Sequence, residues 1–405
     1  MKVLRTERHI IKSNNTYYNM IKDYCKISKD LYNQANYIIR QEFCKNHQWI
    51  RYNNDLIKKL RENEEFNNVD KLPCVQCAQQ ILKILDKNWS SFFKSIRDWT
   101  KNKNKYKGQP KLPKYKDKNG YNLLIFTNQN CKIKNGFIHF PKKLNRFKLK
   151  TKVNNLQQVR ILPNSNHLVI EIIYYKEINN AKEINSNRII SIDLGLNNFA
   201  TIANNCNLQT FIINGKGLKS MNKYWNKLYA HYKSVLENIN KKKSSKRLKT
   251  LTFKRNNKMN DFCHKASKYI ITYCINHDID TIVLGKNNSW KDSSKMSKLV
   301  NQTFIQFPYQ NFIDKLEYKC FENNIKLILT EESYTSKTSF LDKELPQKHE
   351  KYIGNRIKRG LFSNGKNLIN ADLNGAFQIM RKVFDEVEIP VNRGFVFNPI
   401  KVNVV

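Results

Sequence analysis

The stretch Arg188-Ile-Ile-Ser-Ile-Asp193-Leu-Gly195-Leu-Asn-Asn198-Phe-Ala-Thr201 opens as an apolar run and delivers a single carboxylate near its end. Such a run reads as a strand buried on both faces, and Gly195 lets the backbone turn tightly just past Asp193. A carboxylate at a strand end suits a hard divalent cation. Phosphodiester cleavage by a metal pair needs several oxygen ligands converging on ions about 3.5–4 Å apart, and Asp193 is the first candidate. An Asx turn or a helix cap would put an Asp in the same place, so this string alone leaves both readings open.

A second string, Leu368-Ile-Asn370-Ala-Asp372-Leu-Asn374-Gly-Ala-Phe-Gln-Ile-Met380, opens a helix with an Asp close to its start. By itself Asp372 reads as a cap, worth about 1 kcal/mol. Together the two strings resemble the first and third RuvC motifs of the transposon-encoded TnpB family. Further landmarks follow in the family's order: Leu31-Tyr-Asn-Gln-Ala-Asn36, Arg40-Gln-Glu-Phe43, Pro110-Lys-Leu-Pro-Lys-Tyr115, Glu331-Glu-Ser-Tyr-Thr-Ser-Lys337 and Asn355-Arg-Ile-Lys-Arg-Gly360.

The resemblance implies a multidomain protein of mixed α/β and α+β class, with an RNase H-like RuvC domain and a wedge β-barrel interrupted by a helical recognition lobe. The wedge domain is expected at residues 1–14 and 119–186 and the lobe at 15–118. The RuvC domain is expected at 187–332 and 371–405, and a small target-nucleic-acid-binding insert at 333–370. It also implies RNA-guided cleavage of double-stranded DNA beside a short target-adjacent motif, with a guide RNA from the element's own end and Mg²⁺ or Mn²⁺ as the cofactor. Asp193 on the central strand would touch both ions.

Two departures from the family pattern bear on activity. The second RuvC motif usually places a Glu at the end of the next core strand, but Asp280-Thr-Ile-Val-Leu-Gly285 ends in glycine. The following strand, Ile325-Lys-Leu-Ile-Leu-Thr330, ends at Glu331 and Glu332. Parallel neighbours in an open α/β sheet present their C-terminal ends to one crevice, so a relocated carboxylate can reach the same metal. Some members of the wider family resemble this chain in carrying such a shifted glutamate, and the matching residue, two before Tyr334, is Glu332, with Glu331 as its substitute. The competing reading is a solvated acidic pair, which would leave an RNA-guided DNA-binding repressor without nuclease activity. The second departure lies at Thr335-Ser-Lys-Thr-Ser-Phe-Leu-Asp342, where many family members carry paired zinc-binding cysteines. No cysteine follows Cys320, so no structural zinc is expected, and Lys348, Lys351, Arg356, Lys358 and Arg359 are left to hold phosphate.

Composition agrees with a polyanionic partner. The formal charge is +40, from 73 Lys plus Arg against 33 Asp plus Glu in 405 residues, while 40% of residues are hydrophobic, so the charge sits on a folded chain. Neutralising phosphates releases condensed counterions and supplies salt-dependent affinity. No apolar run approaches the roughly 18 residues a membrane span needs, which argues against a membrane partner. The first fifteen residues lack the apolar h-region of a secretory signal, so a cytoplasmic protein is expected, nucleoid-associated in a bacterium. Nine scattered cysteines fit reduced thiols. Cys74 and Cys77 form the one CxxC, with no second pair to complete a zinc site, and read as helix packing.

Along the chain, Met1–Ile11 alternates as a strand, while Tyr17–Phe43 and Cys74–Trp99 repeat apolar residues at helical spacing. The segment after Trp99 turns basic and is broken by Pro110 and Pro113. Lys111, Lys114 and Tyr115 stand there as ammonium and stacking contacts for nucleic acid. Leu123–Tyr175 reads as a small β-rich unit, which the first strand would join. Nine cations and no acid lie between Lys241 and Lys258, namely Lys241, Lys242, Lys243, Lys246, Arg247, Lys249, Lys254, Arg255 and Lys258, a stretch placed to meet the guide–target backbone. A DNA-strand-transferring transposase shares the same metal logic and stands as a further alternative.

Overall fold

The computed structural model describes residues 1–62, 67–164, 166–178, 187–286, 298–358, 360–386, 394 and 397–404. They fall into two compact units, Met1–Ile178 and Asn179–Val405.

The first unit begins with β1 (Lys2–Lys12), followed by α1 (Tyr18–Asn46), α2 (Asn54–Glu62) and α3 (Val75–Lys101). Seven-residue spacing of Ile21, Ser28 and Ala35, filled in by Cys25, Leu31, Tyr32 and Ile39, gives α1 one buried stripe. It packs on α3 through Cys77, Ala78, Ile81, Leu82, Leu85 and Trp89. The buried Trp89 indole donates to Asn36 Oδ1 at 3.0 Å, so the one polar atom of the largest core side chain is satisfied. Then come β2 (Leu124–Thr127), β3 (Lys132–Lys134), β4 (Phe137–His139), β5 (Lys148–Lys150), β6 (Leu156–Pro163) and β7 (His167–Glu177). Two antiparallel sheets result, ordered β1-β7-β6-β2 and β3-β4-β5. The three helices are thus an insertion between the first two strands of a β unit.

The basic stretch before β2 is not a loose connection. One face of α1 pins it to the helix: Lys29 Nζ donates to Lys118 O at 2.8 Å, Asn33 Nδ2 to Lys116 O at 3.0 Å, Asn36 Nδ2 to Pro113 O at 3.0 Å and Arg40 Nη2 to Pro113 O at 2.7 Å. These donors recur at about one-turn intervals, so an extended strand of chain, whose carbonyls have no sheet partner, is satisfied along its length.

The second unit is built on a six-stranded sheet of β8 (Ile189–Leu194), β9 (Asn198–Asn204), β10 (Phe211–Asn214), β11 (Thr281–Gly285), β12 (Lys326–Thr330) and β16 (Ile400–Val402). Its order is β12-β11-β8-β9-β10-β16. β9 runs antiparallel to β8 and β10, while β11 and β12 are parallel to β8. An antiparallel three-strand meander extended by two parallel crossover strands beside its first strand is the RNase H-like topology. Between β10 and β12 lie α4 (Lys216–Asn240), α5 (Lys246–Asn276), α6 (Lys298–Gln306) and α7 (Tyr309–Glu322). After β12 follow β13 (Asn355–Lys358), β14 (Leu361–Ser363), β15 (Leu368–Asn370) and α8 (Ala371–Arg381). One face of the sheet packs on α5 and α7, the other on α8, and β8 is buried on both faces for that reason. The basic run from Lys241 differs from a plain connecting loop. Ser245 caps α5, its Oγ accepting from Leu248 N at 3.3 Å, so the cations from Lys246 onward ride on the first turns of a helix.

The segment after β12 folds against α8 without thiols. Asn374, Gln378 and Arg381, one turn apart, form a buried polar stripe. Asn374 Nδ2 donates to Thr338 O at 2.9 Å, and its Oδ1 accepts from Phe340 N at 3.0 Å. Gln378 Nε2 donates to Glu344 O at 2.9 Å, and Arg381 Nη1 to Phe340 O at 3.2 Å. The Phe340 ring stacks on Phe377 with centroids 4.4 Å apart and lies 4.3 Å from the Arg381 guanidinium carbon. The loop backbone is thus tied to one helix through side chains. Asn374→Ala leaves a buried carbonyl and a buried amide unpaired, at about 1–3 kcal/mol each; denaturant unfolding is expected to show a loss of roughly 3 kcal/mol, against under about 0.5 kcal/mol for a substitution at exposed Lys366.

Candidate active site

Alternation along β8 sends Ile190 and Ile192 to the α5–α7 face and Ile189 to the α8 face. Ser191 also faces α8, its Oγ donating to Ala376 O at 2.6 Å. Asp193 has the same parity and emerges on that side. A Cβ on Gly375 would stand 3.0 Å from Asp193 Oδ2, so the absence of a side chain there is what lets α8 lie so close to the carboxylate.

Asp372 occupies the first turn of α8. The cap of that helix is Asn370, whose Oδ1 accepts from Asp372 N at 3.0 Å and Leu373 N at 3.1 Å. The Asp372 carboxylate is therefore turned to other partners: Oδ2 accepts from Asn198 Nδ2 at 2.6 Å and Oδ1 from Arg356 Nη2 at 3.0 Å. Asn198 opens β9, on the return arm of the hairpin that carries Asp193.

The two glutamates after β12 diverge. Glu331 is exposed, with Oε2 2.7 Å from Lys382 Nζ and Oε1 accepting from Ser333 N at 3.0 Å. Those hydrogen bonds, Lys382 first, hold it below the ordinary glutamate range. Glu332 turns inward, and its Oε2 lies 2.8 Å from where a Cβ on Gly285 would stand, with Ile379 Cδ1 at 2.6 Å. Gly285 pairs with Thr330 across β11 and β12, so the space left by the missing side chain at the end of one strand is filled by a carboxylate arriving from its neighbour. A side chain at 285 and the observed place of Glu332 exclude each other.

Asp193 feels both other acids. Burial raises its carboxyl well above the ordinary value, the charges of Glu332 and Asp372 push the same way, and only Arg356 opposes them. Tyr309, at the start of α7, donates from its hydroxyl to Gly195 O at 3.0 Å and stacks on Phe199, which fixes the turn after Asp193. Burial, then Asp193 and Glu332, raise the phenol above its usual range.

The donors facing this crevice are carboxylate oxygens with an amide beside them, a set suited to Mg²⁺ or Mn²⁺ and not to a soft metal. Glu332 and Asp372 add to the cost of ionising Asp193, and a divalent cation relieves that cost. As they stand, no group of three His, Cys, Asp or Glu among the described residues is gathered tightly enough to hold an ion, and Arg356 covers one oxygen of Asp372. The fit is one of donor chemistry and common location, and Arg356 would have to yield.

The remaining expected contacts are unevenly placed. Lys111, Lys114 and Tyr115 are exposed on the pinned stretch, with the Arg40 guanidinium 4.6 Å from the Tyr115 ring centre. Lys241, Lys242, Lys243, Lys246, Lys254 and Lys258 are exposed. Arg247 is exposed as well and lies over the Tyr232 ring at 3.9 Å. Arg255 is half-buried and engaged within the fold, donating to Asn222 Oδ1 at 2.8 Å and Gln306 O at 3.1 Å over the Trp225 ring. Lys358 is exposed on β13, Arg356 is on Asp372, and Arg359 lies outside the described residues. Sequence reasoning did not single out Asn198 and Tyr309 as site residues, and Gly375 passed as a helix residue. Asn198 sits five positions after Asp193, which a hairpin would bring back beside it; Tyr309 carries no local signal.

Residues 172–291 match the model of the OrfB_IS605 family, described as a probable transposase, and residues 309–379 match that of the Cas12f1-like TNB domain. No curated protein matches the chain. Among solved structures, a Cas12f1–sgRNA–target DNA complex is similar at 15% identity and a TM-score of 0.48, over 89% of this chain and 82% of that one. CasPhi-2 (Cas12j) bound to crRNA is similar at 10% identity and 0.41, over 94% and 98%. C2c1 of Alicyclobacillus acidoterrestris with its single-guide RNA is similar at 10% identity and 0.39, over 91% and 70%.

A raised Asp193 means that the folded chain holds a proton that the unfolded chain releases near the ordinary aspartate value of about 3.9. The folded state therefore binds more protons from that pH up to the raised value, and stability falls as pH rises through this window. Asp193→Asn is expected to raise the unfolding midpoint of the metal-free chain at neutral pH, with the gain vanishing near about pH 4; denaturant titrations with chelator at the two pH values check both.

Proposed function

We propose that this chain, which matches the OrfB_IS605 and Cas12f1-like TNB models in two segments, is an RNA-guided endonuclease that cleaves guide-complementary DNA beside a short target-adjacent motif. The observation that carries the reading is the meeting of Asp193, Glu332 and Asp372, from three separate elements, on the α8 side of an RNase H-like sheet. Asp193, Glu332 and Asp372 would hold Mg²⁺ or Mn²⁺, which when bound supplies an activated water and neutralises charge on the leaving oxygen. The chain's own residues arrange the rest. Asn198 orients Asp372, Tyr309 holds the backbone after Asp193, and Ser191 ties β8 to the helix that carries Asp372.

Exposed cations from Lys241 to Lys258 and along Lys111–Lys118 offer the phosphate contacts that a guide RNA and a target strand require. Base pairing would carry sequence choice, and the protein would recognise the shape of the heteroduplex. A second reading, guide-dependent DNA binding without cleavage, is favoured by one observation: Arg356 pairs with Asp372 where a metal would be needed.

Cleavage of a guide-matched plasmid with Mg²⁺, by protein co-purified with its RNA, separates the readings. Cutting is expected, with a loss of at least about 100-fold in both Asp193→Ala and Glu332→Ala, the order seen when a preorganised catalytic group is removed. Guide-dependent binding without cutting would establish the second reading, and joined transposon ends among the products would point to strand transfer instead.

A further inference from the structure

The CxxC of the first unit plays no part in the site above, yet its geometry is specific. Cys74 is the N-cap of α3 in extended conformation, and Cys77 is three residues into the helix, its amide donating to Cys74 O at 3.1 Å. The two sulfurs stand 3.2 Å apart. Cys77 is fully buried and Cys74 half-buried, so one residue of the pair is partly exposed while the other is held behind it. Cys131, buried between β2 and β3, is close enough to interact electrostatically with both. Lys143 reaches over the preceding turn, its Nζ donating to Asp70 O at 2.5 Å and Leu72 O at 3.0 Å, and its charge acts on Cys74.

A metal is the other classical use of clustered thiols, but no group of three His, Cys, Asp or Glu among the described residues is arranged to hold one. A dithiol in exchange chemistry needs what is present here: a first sulfur that ionises at a helix N-terminus, and a second within reach of it.

We infer that Cys74 and Cys77 form a redox-active dithiol that is reversibly oxidised by a small-molecule disulfide. Cys74, as thiolate, attacks one sulfur of the reagent. Its new S–S bond forms as the reagent's own S–S bond breaks, and the first small thiolate leaves with the electron pair. Cys77 then loses its proton to solvent and attacks Cys74 Sγ, expelling the second small thiolate. The protein dithiol gives up two electrons and the reagent takes two. The asymmetry of the pair sets the order. The hydrogen bond from Cys77, then backbone amides and Lys143, lowers Cys74 to about 7 against the opposing effect of burial, whereas burial pushes Cys77 far up. About half of Cys74 is then thiolate at neutral pH, against a few per cent for an ordinary thiol.

The test is exposure of the full-length protein to oxidised glutathione at neutral pH, followed by peptide mapping by mass spectrometry. Wild type is expected to lose two hydrogens in a Cys74–Cys77 disulfide that dithiothreitol reverses. Cys77→Ala is expected to stop at one glutathionyl group on Cys74, and the midpoint of the Cys74 alkylation rate against pH should move up from about 7 once its hydrogen-bond donor is gone. Should that variant fail to fold, the wild-type map decides alone, with Cys131→Ala retaining the same disulfide. Modification confined to exposed Cys44, a disulfide formed through Cys131 in place of Cys77, or stoichiometric zinc that protects the thiols would each overturn the inference.

Discussion

Carboxylates held within reach of one another's charge at one end of a sheet are the constraint around which the second unit is arranged. Asp193 cannot leave, because it lies one residue before the end of the central strand, which is buried on both faces. Asp372 cannot, because Asn370 caps the helix and Asn198 grips the carboxylate. Glu332 is directed inward by the space left at Gly285. Unrelieved, this costs stability, as the raised Asp193 records. The repulsion is kept, with Arg356 opposing it, and a bound cation would relieve it.

How far the sequence disclosed this follows the range of the interactions. Asp193 was readable because an apolar run and a glycine are local signals. Asp372 stood at a helix start, where a ligand and a cap look alike, and only the structure shows that Asn370 does the capping. Glu332 could be approached by assuming that β11 and β12 are parallel neighbours, but no local signal shows that Glu331 turns to Lys382, fifty-one residues later. Arg356 read as a phosphate contact because nothing local ties it to Asp372.

Polar stripes are ambiguous in a similar way. Asn374, Gln378 and Arg381 have the spacing of a solvated helix face, yet they are buried and hold the loop before them by its backbone. Asn33, Asn36 and Arg40 on α1 do the same for the basic stretch of the first unit. In both places a helix satisfies irregular backbone that has no sheet to join. Ser245, like Asn198, is a local signal: a serine at a helix start, hidden within a run of lysines.

The account rests on Glu332, and not Glu331, joining Asp193 and Asp372 as a metal ligand, and Mn²⁺ binding to the chelator-treated chain, followed by calorimetry or electron paramagnetic resonance, addresses this without requiring cleavage. The account predicts binding that weakens at least about tenfold in Glu332→Gln and is unchanged in Glu331→Gln. Wild-type affinity in Glu332→Gln, or loss in Glu331→Gln alone, would contradict it.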